Sequence, residues 1–169
     1  MDYGLTTYSR FDTIKKWLFS VILIPICLYF LLNRGEYTLL DSADLIIHEA
    51  GHFIFMVFGT SIHVFGGTLM QILLPAYIVY FFAVNDFRIG VQIFLFWLGH
   101  NFINISVYAA DARAQILPLL GGEKVIHDWH YMLTGLNLLP FAEEVGLFFF
   151  GLAIITFILT LITPFFYDN

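Results

Sequence analysis

The sequence predicts an all-α integral membrane protein, a single membrane domain over residues 1–169 with about five transmembrane helices and a short re-entrant or hairpin loop. Two observations lead there. Hydrophobic residues make up 60% of the chain and charged residues only 12%, against about 45–50% and ~25% in soluble domains. A chain this small cannot hide such an excess in one core, so part of its surface must meet lipid. The excess is also gathered into long apolar runs separated by short polar connections, as membrane spans require.

The first span is expected at 17–32, between Lys15-Lys16 and Asn33-Arg34, with residues 11–14 extending it to bilayer length. The basic pair lies well inside the chain and no small-residue cleavage site follows, unlike a secretory signal. A second span is expected at 45–58, starting as early as Leu39, and it carries two histidines and a glutamate. The third and fourth fall at 68–84 and 89–110. A less apolar stretch, 111–140, holds the clusters DARAQ, GGEK and HDWHY, and the last span covers 141–166. No repeat, low-complexity run or second domain interrupts this order. Cys27 is the single cysteine and sits in an apolar run, so it is read as packed or lipid-facing and no disulfide framework exists. A net charge of −6 with seven Lys and Arg excludes nucleic acid as a natural partner. With a cytoplasmic N-terminus, five spans place Arg10, Lys15, Lys16, Arg113 and Lys124 inside and Arg34 and Arg88 outside, the sense favoured by the positive-inside rule.

The strongest chemical signal is His48-Glu49-Ala50-Gly51-His52. On a helix, residues four apart are displaced by about 40° and ~6 Å, so both imidazoles share a face. Two such imidazoles can occupy adjacent corners of a zinc tetrahedron, leaving room for a third ligand and a water. Glu49 stands about 100° round from His48, placed to take a proton from that water without ligating the metal. The alternative is a polar helix–helix cluster, or histidines ligating a haem or chlorophyll in a larger assembly. Each charged group at mid-membrane costs about 2.5–3.5 kcal/mol, which favours a compensating cation, Zn2+, over a bare cluster.

This pattern resembles the intramembrane zinc metalloproteases of the site-two protease class and their small bacterial relatives. The resemblance covers 44–129 and is specific at HEAGH. It implies a Gly-rich turn and hairpin after the motif, here 59–67, then a span opening with Gly67, Gln71 and Pro75, and a third zinc ligand from a later segment. The class pattern for that ligand is an Asn, a Pro three residues later and an Asp-Gly five beyond. This chain departs from it, offering Asn101, Asn104 and Asp111-Ala112, with neither the Pro nor the Gly. The HDWH cluster is the denser set of donors, and His127 is placed first as third ligand, with Asp128 and Asp111 as alternatives. Asp111 is otherwise the acceptor for the other ring nitrogen of a ligating His127, and Gly121-Gly122 supplies the reversal that folds the cluster back. The plainer reading of HDWH is an interfacial half-helix capped by Asp128. His100 is a further alternative ligand, more ordinarily an interhelical histidine, and His63 is a turn residue. Gln71, Asn101 and Asn104 are expected to bridge helices or hold a substrate backbone beside the metal ligands.

The expectation is therefore zinc-dependent hydrolysis of a membrane or membrane-proximal peptide, with His48 and His52 as ligands and Glu49 as general base, in a bacterial inner membrane. The competing expectation is a non-enzymatic scaffold subunit of a larger membrane complex that retains a metalloprotease-like fold.

Overall fold

A computed structural model describes residues 10–118 and 126–167, with side chains from residue 14 onward. Every regular element among the described residues is helical: α1 (Arg10–Leu32), α2 (Leu39–Phe55), α3 (Thr60–Val84), α4 (Arg88–Ala110), α5 (Asp128–Gly135) and α6 (Ala142–Ile162), with 3-10 turns at Met56–Phe58, Leu139–Phe141 and Thr163–Phe166. Four stretches are long and apolar enough to cross a membrane: Ile14–Leu32, Thr60–Val84, Arg88–Ala110 and Leu139–Phe166. Their outward faces carry large apolar side chains, among them Leu18, Val21 and Leu28 on α1, while Ser20, Leu23 and Cys27 at helical spacing turn inward. This is what an integral membrane protein requires.

The expected second span is where the structure differs. The HEAGH helix, α2, has 17 residues, a rise of about 25 Å against a hydrocarbon thickness of ~30 Å. It is not one of the four apolar helices. Its start is set by a capping box read poorly from hydropathy alone. Thr38 Oγ1 accepts from Leu40 N (3.2 Å), and Asp41 Oδ2 accepts from Thr38 N (2.7 Å).

The expected hairpin at 59–67 is also absent. Only Gly59 breaks the chain, at φ +91, and α3 runs from Thr60 onward. Gly66 and Gly67 lie inside α3 because α2 presses on it there. A Cβ on Gly51 would collide with the Gly66 carbonyl, and one on Gly66 would sit 2.8 Å from the Gly51 carbonyl oxygen. The glycines that suggested a loop are contact residues between two helices. The reversal expected at Gly121-Gly122 lies outside the described residues, as do Lys124 and the Arg10 side chain.

The remaining helices form a frame around this pair. α4 packs on α6 with Gly99 under the Phe157 ring and Gly146 against the Ser106 carbonyl. Buried Gln92 donates to Ser20 Oγ (2.8 Å) and the Thr160 carbonyl (3.0 Å), tying α4 to α1 and α6. Between α1 and α2, Arg34 donates to the Ser106 carbonyl and lies over the Phe150 ring. The α2–α3 pair is thereby held against α4, with α5 folded back between them.

Candidate metal centre

On α2, Asp41, Asp44 and His48 recur at spacings of three and four and are buried on one face; His52, a turn further, is partly buried. Opposite them α3 presents Gly67, Gln71 and Pro75, also one buried face. The His48 ring lies against the bare Cα of Gly67, and its Nδ1 is 2.9 Å from Gln71 Oε1. Gln71 turns its amide nitrogen the other way, donating to Asn104 Oδ1 at 2.9 Å. His52 Nδ1 is 2.8 Å from the His63 carbonyl, and His63 Nδ1 donates to the His52 carbonyl in return (2.9 Å).

Those partners decide where the ring hydrogens are. A carbonyl oxygen can only accept, so in each neutral ring Nδ1 carries the hydrogen and Nε2 keeps its lone pair. The two Nε2 atoms are 3.0 Å apart. Asp128 Oδ2 lies 2.9 Å from the first and 3.1 Å from the second. Three acceptors thus converge with no hydrogen to share between neutral rings. His48, His52 and Asp128 form a group able to hold a metal ion. Burial of Asp128 works against its ionisation, yet a ring that takes up a proton donates it to Asp128 and so holds the carboxyl below the usual carboxylate range.

His127, placed first as third ligand from the sequence, stands elsewhere. It is the N-cap of α5, a role the plainer reading gave to Asp128. His127 Nδ1 accepts from His130 N (3.2 Å), and Nε2 faces Asp111 Oδ2 at 3.3 Å. Its lone pair is spent on the cap and its hydrogen on Asp111, so neither nitrogen is available to a metal. Burial pushes its imidazole below the usual range, with Asp111 opposing the shift. Asp111 caps the end of α4 and also accepts from Ile116 N and Leu117 N, each at 3.0 Å. It supports His127 and belongs to neither the metal group nor its immediate partners. With His127 in the cap, the next residue, Asp128, meets His48 and His52 of α2.

Of the amides, Gln71 and Asn104 join the site. Asn101 does not: its Nδ2 donates to the Trp97 carbonyl within α4 (3.0 Å). Hydropathy gave no sign of Tyr108, whose hydroxyl accepts from Asp128 N (3.2 Å) and donates to Asp128 Oδ2 (3.5 Å). Nor did it mark Asp41 and Asp44, although their spacing from His48 along one helix face was a usable signal.

A second cluster, Asp41, Asp44 and His100, also has metal-ligating residue types. Its atoms are matched differently. Asp44 accepts from Trp97 Nε1 (2.8 Å) and is bonded to His100 Nδ1 (2.7 Å), while Asp41 accepts from Thr38 and from Asn104 Nδ2 (3.1 Å). Donors meet acceptors at these contacts, and His100 Nε2 stands 3.9 Å from Asp41 Oδ2, beyond hydrogen-bond reach, so a cation is less called for here than at the first cluster. His100 is accordingly a partner of Asp44.

Both clusters border one cavity of about 220 Å³, whose walls include Tyr37, Leu45, Glu49, Val107 and Tyr108. The Glu49 side chain is exposed and makes no hydrogen bond to another described residue. No protein-family model matches the chain, and no curated protein or solved structure is significantly similar to it.

Proposed function

We propose that this chain is a membrane-embedded, zinc-dependent peptide hydrolase of the site-two protease kind, with His48, His52 and Asp128 holding the metal. The observation that carries the reading is the meeting of three lone-pair atoms within 3.1 Å of one another. Such a group is self-repulsive when the rings are neutral, and a cation relieves it. Two imidazole nitrogens and a carboxylate oxygen are a donor set that suits zinc, and three protein ligands leave a position open, as catalytic sites do. Zinc would supply polarisation of a carbonyl and acidification of a water.

The chain's own residues account for the rest. Glu49 borders the same cavity as His48, His52 and Asp128, and its carboxylate is free to accept a proton from water. It then returns that proton to the departing amine, so that water is divided between the new acid and the new amine. The His63 carbonyl and Gln71 hold the two imidazoles with Nε2 inward, and Tyr108 steadies the Asp128 carboxylate from the other side. The cavity suits an extended segment rather than a folded domain, which favours a membrane or membrane-proximal peptide as substrate. By the same resemblance, the setting is a bacterial inner membrane, and the distribution of basic residues favours an N-terminus in the cytoplasm.

The test is Glu49→Gln in purified protein. The amide keeps the shape and loses the base, so zinc content should match the parent while hydrolysis of a membrane peptide falls by about 10²–10⁴-fold. Hydrolysis that survives the change would refute the role of Glu49. A parent that binds zinc yet cleaves no membrane peptide would favour the scaffold reading.

A further inference from the structure

The bonds behind His48 form an unbroken line into the protein. His48 Nδ1 meets Gln71 Oε1 at 2.9 Å, Gln71 Nε2 meets Asn104 Oδ1 at 2.9 Å, and Asn104 Nδ2 meets Asp41 Oδ1 at 3.1 Å. An amide can point either way at nearly equal cost, because its oxygen and nitrogen have the same shape. A line of two amides could therefore run in either sense, and the His48 hydrogen would follow. The sense is decided at the far end. The Asp41 carboxylate can only accept, and it is itself anchored by Thr38 N (2.7 Å) and Thr38 Oγ1 (2.8 Å) at the start of α2. Asn104 must then offer its nitrogen to Asp41 and its oxygen to Gln71. Gln71 must offer its nitrogen to Asn104 and its oxygen to His48. His48 must then carry a hydrogen on Nδ1, and in the neutral ring its lone pair is on Nε2, facing Asp128 and His52.

We propose that Asp41 is a positioning residue that sets the tautomer of His48 through Asn104 and Gln71. Asp41 lies two helical turns from His48 on the same helix, and the line leaves α2, passes through α3 and α4, and returns to it. Its consequence for zinc rests on the reading of His48 as a ligand, but the tautomer itself does not.

Two measurements separate the two. Nitrogen NMR of ring-labelled histidine in the metal-free protein reads which His48 nitrogen is protonated, and competition with a zinc chelator reads affinity. The parent should show Nδ1–H. Asn104→Leu, which cuts the line without touching the α2 cap, should give a mixture with Nε2–H and a zinc affinity lower by about 10- to 100-fold, the usual effect of losing such a support. Asp41→Asn, whose amide can face Asn104 with either end, should give a mixture too. Gln71→Glu keeps an acceptor against Nδ1 and should hold the parent tautomer, whereas Gln71→Leu should lose it. An unmixed Nδ1–H in both Asn104→Leu and Asp41→Asn would overturn the proposal. A parent with the expected tautomer and its expected loss in the variants, yet no zinc binding, would overturn the metal reading and leave this one standing.

Discussion

Gly67 is where a single methyl group should reach the metal site. A Cβ at this position would stand 2.5 Å from both Cε1 and Nε2 of His48, whereas ordinary contact begins at 3.4 Å. The ring would have to withdraw by about 0.9 Å, the difference between those distances. It has little room to do so, because Nδ1 is bonded to Gln71 and Asp128 and His52 crowd Nε2. Overpacking a tight contact of this kind costs about 1–3 kcal/mol. If that cost falls on the placement of Nε2, zinc affinity drops by about 5- to 150-fold, at ~1.4 kcal/mol per tenfold. The assay is chelator competition on purified Gly67→Ala, with Gly151→Ala as the comparison, since a Cβ on Gly151 meets nothing within 4 Å. Gly151→Ala should bind zinc as the parent does. A Gly67→Ala protein with zinc affinity within twofold of the parent would refute the claim that this glycine exists to seat the ring.

Other consequences can be checked separately. His127→Ala should keep zinc but lose roughly 1–3 kcal/mol of stability through the unpartnered Asp111 carboxylate and the lost cap of α5, measured by unfolding in detergent; loss of zinc with an unchanged unfolding curve would return the ligand role to His127. Zinc affinity should fall steadily on acidification, because protons compete for both Nε2 lone pairs; a chelator-competition affinity that does not change as pH is lowered from neutral would count against imidazole ligation. A reporter fused after Asn169 should appear on the cytoplasmic face if the four apolar helices alone cross from a cytoplasmic N-terminus, and a signal on the outer face would mean that α2 crosses as well.

The membrane character and the placing of α4 and α6 were legible because long apolar runs report directly on lipid exposure. The HEAGH face was legible because four-residue spacing is a helix property. What failed to show were decisions made by packing. Gly66 and Gly67 read as loop formers, yet their missing side chains let α2 approach α3. His127 read as the better ligand than Asp128, because donor type is visible in a sequence and the capping geometry that turns one residue away and the next inward is not. Asn101 and Asn104 read as a pair, but only Asn104 lies on the α4 face toward the cavity. Asp41 and Asp44 could have been found, since they extend the histidine face backward along α2 and Thr38 marks its start.

The central claim is that His48, His52 and Asp128 together hold a metal ion. Elemental analysis of the detergent-purified chain, beside Asp128→Ala and His127→Ala prepared identically, tests it most directly. One zinc per chain is expected in the parent and in His127→Ala, and zinc near background in Asp128→Ala. A parent without zinc, or an Asp128→Ala protein that keeps it in full, would rule out this metal centre.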